Sequence, residues 1–206
     1  MTTVAAVKGK MGNYEYFQCT MKTKDVITRT QTAVNFFTEE TWEEMGETGR
    51  VQRVPNLKRV MDEIAPYLVK SKKRFFNSIV VLLDEKKCQF QSLENFPVNV
   101  PGQGAQVVSS LFLPEYKSKS QNIGFLTIED TGHMLILDGQ HRMLALKAVV
   151  EDQDKLRKIF EKNGENYDDF KNHEVLNDDI SIVFLNVPIQ HLIKSVQHPL
   201  YQLHHR

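Results

Sequence analysis

The sequence has little cysteine, little glycine or proline, and no long apolar run. Its two cysteines, Cys19 and Cys88, are too few for a disulfide framework. We expect them to be packing residues of a protein in the reducing cytoplasm. No stretch of about 18 apolar residues is present, so no membrane span is expected. Basic residues follow the short apolar stretch at the start of the sequence, which is the wrong order for a secretory signal.

Net charge is also absent, because 26 basic side chains balance 26 acidic ones over 206 residues. This balance argues against a protein coated in basic groups to hold nucleic acid. The hydrophobic content of 41% excludes disorder as the dominant state. The charges are nevertheless segregated. Residues 50–74 carry eight basic side chains against two acidic ones, a net of +6, and residues 151–179 carry five against ten, a net of −5.

Periodicity and composition indicate both strands and helices. The predicted strands are residues 13–21, 26–37, 78–83, 123–129, 133–137 and 180–185. Helices are predicted at residues 38–49 and 143–150. A further helix is predicted to begin after the N-cap Asn56 and to be interrupted at Pro66. The turn signal at residues 130–132 predicts that the fourth and fifth strands form a hairpin. Residues 97–104 are predicted to be an irregular loop.

These elements predict an α+β fold, a mixed sheet with helices on its faces. We expect one domain over residues 1–190, followed by a His-rich tail at residues 191–206. The tail holds four histidines but no accompanying cysteine pair, so a solvated end is favoured over zinc binding and no metal site is predicted.

The most informative motif is Asp138-Gly-Gln-His-Arg142, between a predicted strand and a predicted helix. Gly139 permits a tight turn. Unpaired N–H groups at a helix start favour an anion, and Arg142 can grip a phosphate with two donors. Gln140 and His141 present polar groups to the same point, and Asp138 can position a metal-bound water, a ribose or Arg142 itself. The motif is therefore a candidate phosphate site.

A structural interpretation of the same residues stays open. Asp138 can simply cap the helix, Gly139 can simply turn the chain, and Arg142 can simply pair with an acid. The basic segment has two interpretations as well. It is either a solvated helix face or a stripe that contacts phosphates.

The motif, with the apolar strand before it and Met-Leu-Ala-Leu after it, resembles the signature of the DGQHR-domain proteins. Their best-known members are the B components of the Dnd-type DNA sulfur-modification (phosphorothioation) systems. Gln52-Arg53, the helix after Asn56 and the strands at residues 79–83 and 180–185 also resemble this family. The resemblance implies a ParB/sulfiredoxin-like fold with a nucleotide at the strand-to-helix turn. By this comparison the sequence is short for the family.

The resemblance implies a DNA-associated regulator or accessory protein of a DNA phosphorothioation or related defence system. Its expected partner is DNA, with a nucleotide and other sulfur-modification proteins as further candidates. The implied nucleotide or phosphodiester site comprises Asp138, Gly139, Gln140, His141 and Arg142, with Arg50 and Arg53 as second-side phosphate contacts. The implied DNA-contacting residues are Arg50, Arg53, Lys58, Arg59, Lys70, Lys72, Lys73 and Arg74.

Two alternatives accompany this interpretation. The first is a nucleotide hydrolase or DNA-nicking enzyme with Asp138, Gln140, His141 and Arg142 as catalytic residues. In it Arg142 stabilises transition-state charge, and Gln140 or His141 orients water. The cofactor would be a nucleoside triphosphate with Mg²⁺, and otherwise none is expected. The second alternative is a nucleotide-gated interaction module without DNA contact. No Gly-rich loop ending in Lys-Ser/Thr is present, which excludes a P-loop NTPase.

Overall fold

A computed structural model describes residues 1–32, 54–108, 120–129, 134–170 and 173–187. Its strands are β1 (Thr2–Met11), β2 (Tyr14–Lys22), β3 (Thr30–Gln31), β4 (Ile79–Leu83), β5 (Cys88–Ser92), β6 (Pro97–Val100), β7 (Gly104–Val107), β8 (Ile123–Ile128), β9 (Met134–Asp138) and β10 (Asp179–Asn186). Its helices are α1 (Thr23–Arg29), α2 (Leu57–Arg59), a π-helical turn (Val60–Ile64), α3 (Ala65–Lys70), α4 (Gln140–Glu151) and α5 (Gln153–Lys162). Short 3₁₀ turns occupy Glu85–Lys87, Leu93–Asn95, Ser120–Asn122, Tyr167–Phe170 and His173–Asn177.

Eight of these strands form one mixed sheet in the order β3-β9-β4-β10-β2-β1-β8-β5. The pairs β4/β10 and β3/β9 are parallel, and the other neighbours are antiparallel. Strands β6 and β7 form a separate two-stranded sheet. The predicted α+β class with a mixed sheet and helices is confirmed.

The core lies between the helices and the central strands. Along β10 the alternate residues Ile180, Ile182 and Phe184 are buried, as expected for a strand with one face on the core. Strand β4 is buried almost throughout, because it lies inside the sheet between β9 and β10. The predicted strands at residues 13–21, 79–83 and 180–185 are thereby confirmed, as is the helix at residues 143–150.

The helical stretch at residues 57–70 changes its hydrogen bonding just before Pro66, as predicted. The Ala65 N–H donates to the carbonyl of Val60, five residues earlier, which is the π-helical pattern. Pro66 has no N–H to donate and lies in the first turn of α3, where no intrahelical partner is required. The interruption that the proline imposes is therefore absorbed by one π-helical turn.

The predicted hairpin of residues 123–129 and 133–137 is wrong, although both strands exist. Strand β8 pairs with β1 and β5, whereas β9 pairs with β3 and β4. A turn signal indicates only that the chain changes direction. Which strand becomes the neighbour is decided by burial against distant parts of the chain.

Two further predictions are wrong. Of the strand predicted at residues 26–37, residues 26–29 belong instead to α1, because Val26 and Ile27 reach the core from a helix despite their strand preference. Residues 30–31 do form β3, and residues 33–37 lie outside the described residues. Residues 97–104 lie mostly in the β6–β7 hairpin rather than in an irregular loop. Gly102 and Gly104 supply the positive φ angles, 78° and 77°, of its turn.

Cys19 lies in the core, as predicted, and its burial raises the pKa of the thiol to about 12.

The predicted helix at residues 38–49, the turn at residues 130–132 and the His-rich tail at residues 191–206 lie outside the described residues. Among the helices of the described ranges, none is long and apolar enough to cross a membrane.

We predict a large stability difference between two phenylalanine truncations. Phe184 is 1% exposed, whereas Phe75 is 80% exposed. Phe184→Ala leaves a cavity in the core and should lower the free energy of unfolding by about 3–5 kcal/mol. Phe75→Ala should change it by less than about 0.5 kcal/mol. Urea unfolding of both variants measures the difference, and equal losses would contradict the placement of the core.

Candidate functional site

The register of the sheet brings the motif to the start of β4. Asp138 is the last residue of β9 and pairs with Val80, the second residue of the antiparallel strand β4. Asn77 and Ser78, which directly precede β4, therefore lie beside the strand-to-helix turn. Because these residues lie far from the motif in the sequence, only strand pairing brings them to the site.

Gly139 forms the turn and is required there for two reasons. Its φ is 93°, in the left-handed region that side-chain-bearing residues rarely adopt. A Cβ atom at this position would also lie 3.1 Å from Nη2 of Arg142 and 3.2 Å from Cγ1 of Ile79. The glycine thus lets the guanidinium pack directly against the backbone.

Arg142 uses its guanidinium to hold three groups of the protein. Nη1 donates to the carbonyl of Asn77 at 2.6 Å and to the carbonyl of Ser78 at 3.2 Å. Nη2 donates to the carboxylate of Asp138 at 3.1 Å. The Arg142 side chain is 21% exposed and that of Asp138 is 74% exposed. Of the roles foreseen for Asp138, the structure shows the positioning of Arg142. The N-cap is Gly139, without a side-chain cap.

His141 holds a different part of the same basic segment. Its Nε2 accepts a hydrogen bond from the backbone N–H of Asn56 at 2.9 Å. An accepting ring nitrogen carries no proton, so this contact requires the tautomer protonated on Nδ1. The Asn56 side chain in turn caps α2 by accepting from the N–H of Arg59 at 3.0 Å, which confirms the predicted N-cap. Gln140 is buried, with 9% exposure.

The motif therefore fixes both ends of residues 56–78, which we call the clamped segment. His141 binds its beginning, and Arg142 binds its end. The helices of this segment also pack against α4 between these two points. These partners were not predictable from the sequence, because the contacts go to backbone groups that carry no sequence signal.

The basic residues of the clamped segment divide into two groups. Lys58, Lys72 and Lys73 are exposed, and within the described ranges none of them forms an ion pair. Arg59 is exposed as well, and lies 3.5 Å from Glu63 in an exposed pair of low expected strength.

The other group forms ion pairs with the acidic part of the chain. Lys70 pairs with Glu165, and its ammonium lies 5.0 Å from the ring centre of Phe160. Arg74 is only 9% exposed at its side chain and pairs with Asp178. Arg50 and Arg53 lie outside the described residues. That any of these eight residues contacts DNA stays a prediction.

A magnesium-bound nucleotide would meet few ligands at the motif. Mg²⁺ is commonly held by one or two carboxylates together with the substrate phosphates. Asp138 is the motif residue with a carboxylate, and it already binds Arg142. In the described part of the chain, no group of three or more potential ligands is positioned for a metal ion. The predicted nucleotide with Mg²⁺ stays a prediction.

Fold and motif together define an α+β protein whose strand-to-helix turn clamps a basic segment. The family model DndB, described as DNA-sulfur modification-associated, matches residues 4–191. The chain therefore belongs to the DndB family, and this membership implies involvement in a DNA sulfur-modification system. No curated protein and no solved structure matches the chain, so the ParB/sulfiredoxin-like relationship stays a prediction.

We predict that Arg142→Ala destabilises the protein. The substitution leaves the carbonyls of Asn77 and Ser78 without their charged donor, so the free energy of unfolding should fall by about 2–3 kcal/mol. Arg59→Ala removes an arginine from an exposed pair and should cost less than about 1 kcal/mol. Chemical denaturation compares the two variants. If Arg142→Ala lowers the free energy of unfolding no more than the Arg59→Ala control does, the contacts of Arg142 contribute little to stability.

Proposed function

We propose that this protein is a DNA-associated regulator or accessory protein of a DNA phosphorothioation system. It binds a nucleotide or a DNA backbone phosphate at the DGQHR motif, and DNA along the exposed lysines of the clamped segment. The observation that carries the proposal is the double clamp. Because His141 and Arg142 hold both ends of the segment, the backbone that carries the exposed lysines is fixed relative to the helix start, and such preorganisation favours binding.

The phosphate end of this surface is the first turn of α4. The first hydrogen bond of the helical pattern runs from the N–H of Met143 to the carbonyl of Gly139. The backbone N–H groups of His141 and Arg142 therefore lie in the first turn of the helix, where an N–H has no earlier helical carbonyl to which it can donate. With the helix dipole, this end of a 12-residue helix favours an anion.

Asp138 controls the charge at this end. Its carboxylate is largely exposed and neutralises Arg142, so a phosphate has to compete with it for Nη2. The two Arg142 bonds to the carbonyls of residues 77 and 78 can persist during this exchange. Phosphate binding is then a substitution of one anion for another, with the clamp intact.

The hydrolase or nicking alternative requires a group that orients water. Nε2 of His141 is already the acceptor for the Asn56 amide, so this nitrogen is engaged and is not free to orient water. This contact supports binding over catalysis. Phosphate release from a nucleoside triphosphate that His141→Ala abolishes, while the fold is retained, would favour the enzyme instead.

We predict that Asp138→Asn tightens nucleotide binding in the absence of Mg²⁺. The amide oxygen can still accept from Arg142, while the repulsion between carboxylate and phosphate is removed. Isothermal titration with a nucleoside triphosphate should show a gain of about threefold to tenfold, as expected for roughly 1 kcal/mol. Weaker binding that appears only with Mg²⁺ present would instead identify Asp138 as a metal ligand.

We predict that Lys72→Ala combined with Lys73→Ala weakens DNA binding and lowers its salt dependence. Both side chains are exposed at the end of the clamped segment. Each phosphate contact contributes about 0.9 to the slope of log K against log salt for duplex DNA, so the slope should fall by about 2. Fluorescence anisotropy at several salt concentrations measures it.

The matched control is Lys155→Ala with Lys158→Ala on α5, within the acidic part of the chain. Its slope should equal that of the wild type. An unchanged slope for the Lys72 and Lys73 variant would exclude this part of the surface from DNA contact.

A further inference from the structure

A cleft of about 450 Å³ lies at the start of β10, two strands along the sheet from the motif strand β9. One wall is the loop that joins α3 to β4 and contributes Lys72, Phe75 and Phe76. The opposite wall is the beginning of β10 with the residue before it, and contributes Asp178, Asp179 and Ser181. Arg74 and the aliphatic side chains of Leu68, Leu146 and Ile180 also line the cleft, which thus combines apolar side chains, two cations and oxygen acceptors.

Contacts on either side hold this loop in place, although one of its aromatic residues is largely exposed. Arg74 binds inward to Asp178 and donates to the carbonyl of Ser71 at 3.2 Å. The backbone N–H of Phe75 donates to the hydroxyl of Tyr67 at 3.2 Å. The side chain of Phe75 nevertheless remains 80% exposed. Its backbone is therefore fixed while its ring is available to a ligand.

We propose that this cleft receives one unstacked nucleobase of DNA, which stacks on Phe75 while Lys72 binds an adjacent phosphate. This inference rests on the proposed DNA binding. It implies that the protein prefers single-stranded or locally opened DNA. Stacking of a base on an aromatic side chain is favourable for every base, and neighbouring cations follow the backbone of the strand. Exposed Lys72 and Lys73 directly precede Arg74 and Phe75 in the loop.

The polar wall adds a preference among bases. Asp179 is 59% exposed at its side chain and Asp178 is 37% exposed, so both carboxylates retain accessible oxygens beside their cationic partners. Carboxylates accept hydrogen bonds from the exocyclic amino group of cytosine. Thymine carries a carbonyl oxygen in place of this amino group, and a carboxylate would repel that oxygen. Cytosine is therefore favoured over thymine.

A single residue joins the cleft to the motif. The carbonyl of Ser78 accepts from Arg142 at 3.2 Å, and its hydroxyl lies 2.8 Å from the hydroxyl of Ser181 in the cleft wall. Strands β9, β4 and β10 are successive neighbours, so the motif and the cleft are separated by about 10 Å across the sheet. One DNA strand can therefore place a phosphate at the motif and a base in the cleft.

An apolar protein segment fits this cleft less well. Such a partner would bury exposed Lys72 without supplying an anion, which is costly for a charged group. A strand of DNA supplies donors to the carboxylates and an anion to the lysine.

The test compares a labelled 20-nucleotide single strand with its duplex by fluorescence anisotropy. Phe75→Ala should weaken single-strand binding about tenfold, the change that corresponds to about 1.4 kcal/mol of base stacking, and should leave the salt slope unchanged. Phe75→Trp should restore the affinity, because the larger ring still stacks. Duplex binding should change little in either variant.

The matched control is Tyr14→Ala. Tyr14 is 53% exposed and lies at the opposite end of β2 from the cleft residue Thr20, about 20 Å along the strand. Its substitution should leave both affinities unchanged. Thermal unfolding of each variant verifies that the fold is retained.

The outcomes separate the two proposals. If the wild type binds no DNA, the proposed function fails and the cleft proposal fails with it. If the wild type binds DNA but Phe75→Ala binds the single strand as tightly, only the cleft proposal is overturned. Oligo-dC should bind more tightly than oligo-dT. A preference for oligo-dT would overturn the role of the carboxylates.

Discussion

The bonds from the Arg142 guanidinium to the carbonyls before β4 are the constraint on which the rest of the site depends. One charged group holds the end of β9, the first turn of α4 and the end of the clamped segment at a single point. Gly139 makes this possible, since a side chain there would be strained at the positive φ and would crowd the guanidinium. His141 completes the arrangement at the other end of the segment. A motif expected to face a ligand thus also organises the surface that would bind it.

The segregated charges of the sequence have a structural explanation. Lys70 pairs with Glu165, and Arg74 pairs with Asp178, so ion pairs join the basic segment to the acidic part of the chain. Arg74 is nearly buried, and such a charge requires a partner. The remaining lysines of the segment have no such partner among the described residues and face solvent. The zero net charge is therefore a sum of two parts: exposed cations, and acidic side chains that hold the segment carrying them.

Local elements of the fold were predictable because their causes are local. The alternating pattern of residues 180–185 and the capping role of Asn56 depend on near neighbours, and both are confirmed. The pairing of the strands was not predictable in the same way, because it depends on distant parts of the chain. The sequence suggested a hairpin for β8 and β9, but each strand buries its apolar face beside partners that lie far away in the chain. The strand preference of Val26 and Ile27 was likewise overridden by packing in α1.

The motif, its position between a strand and a helix, and the family to which the chain belongs can all be read from the amino-acid sequence. These properties reside in contiguous residues, so they can be recognised without a structure. The groups that the motif contacts, the cations that face solvent and the cleft with exposed Phe75 follow from the folding of the whole chain. The physical reason is that these contacts join backbone carbonyls and side chains from separate strands, and strand pairing is set by burial across the whole sheet.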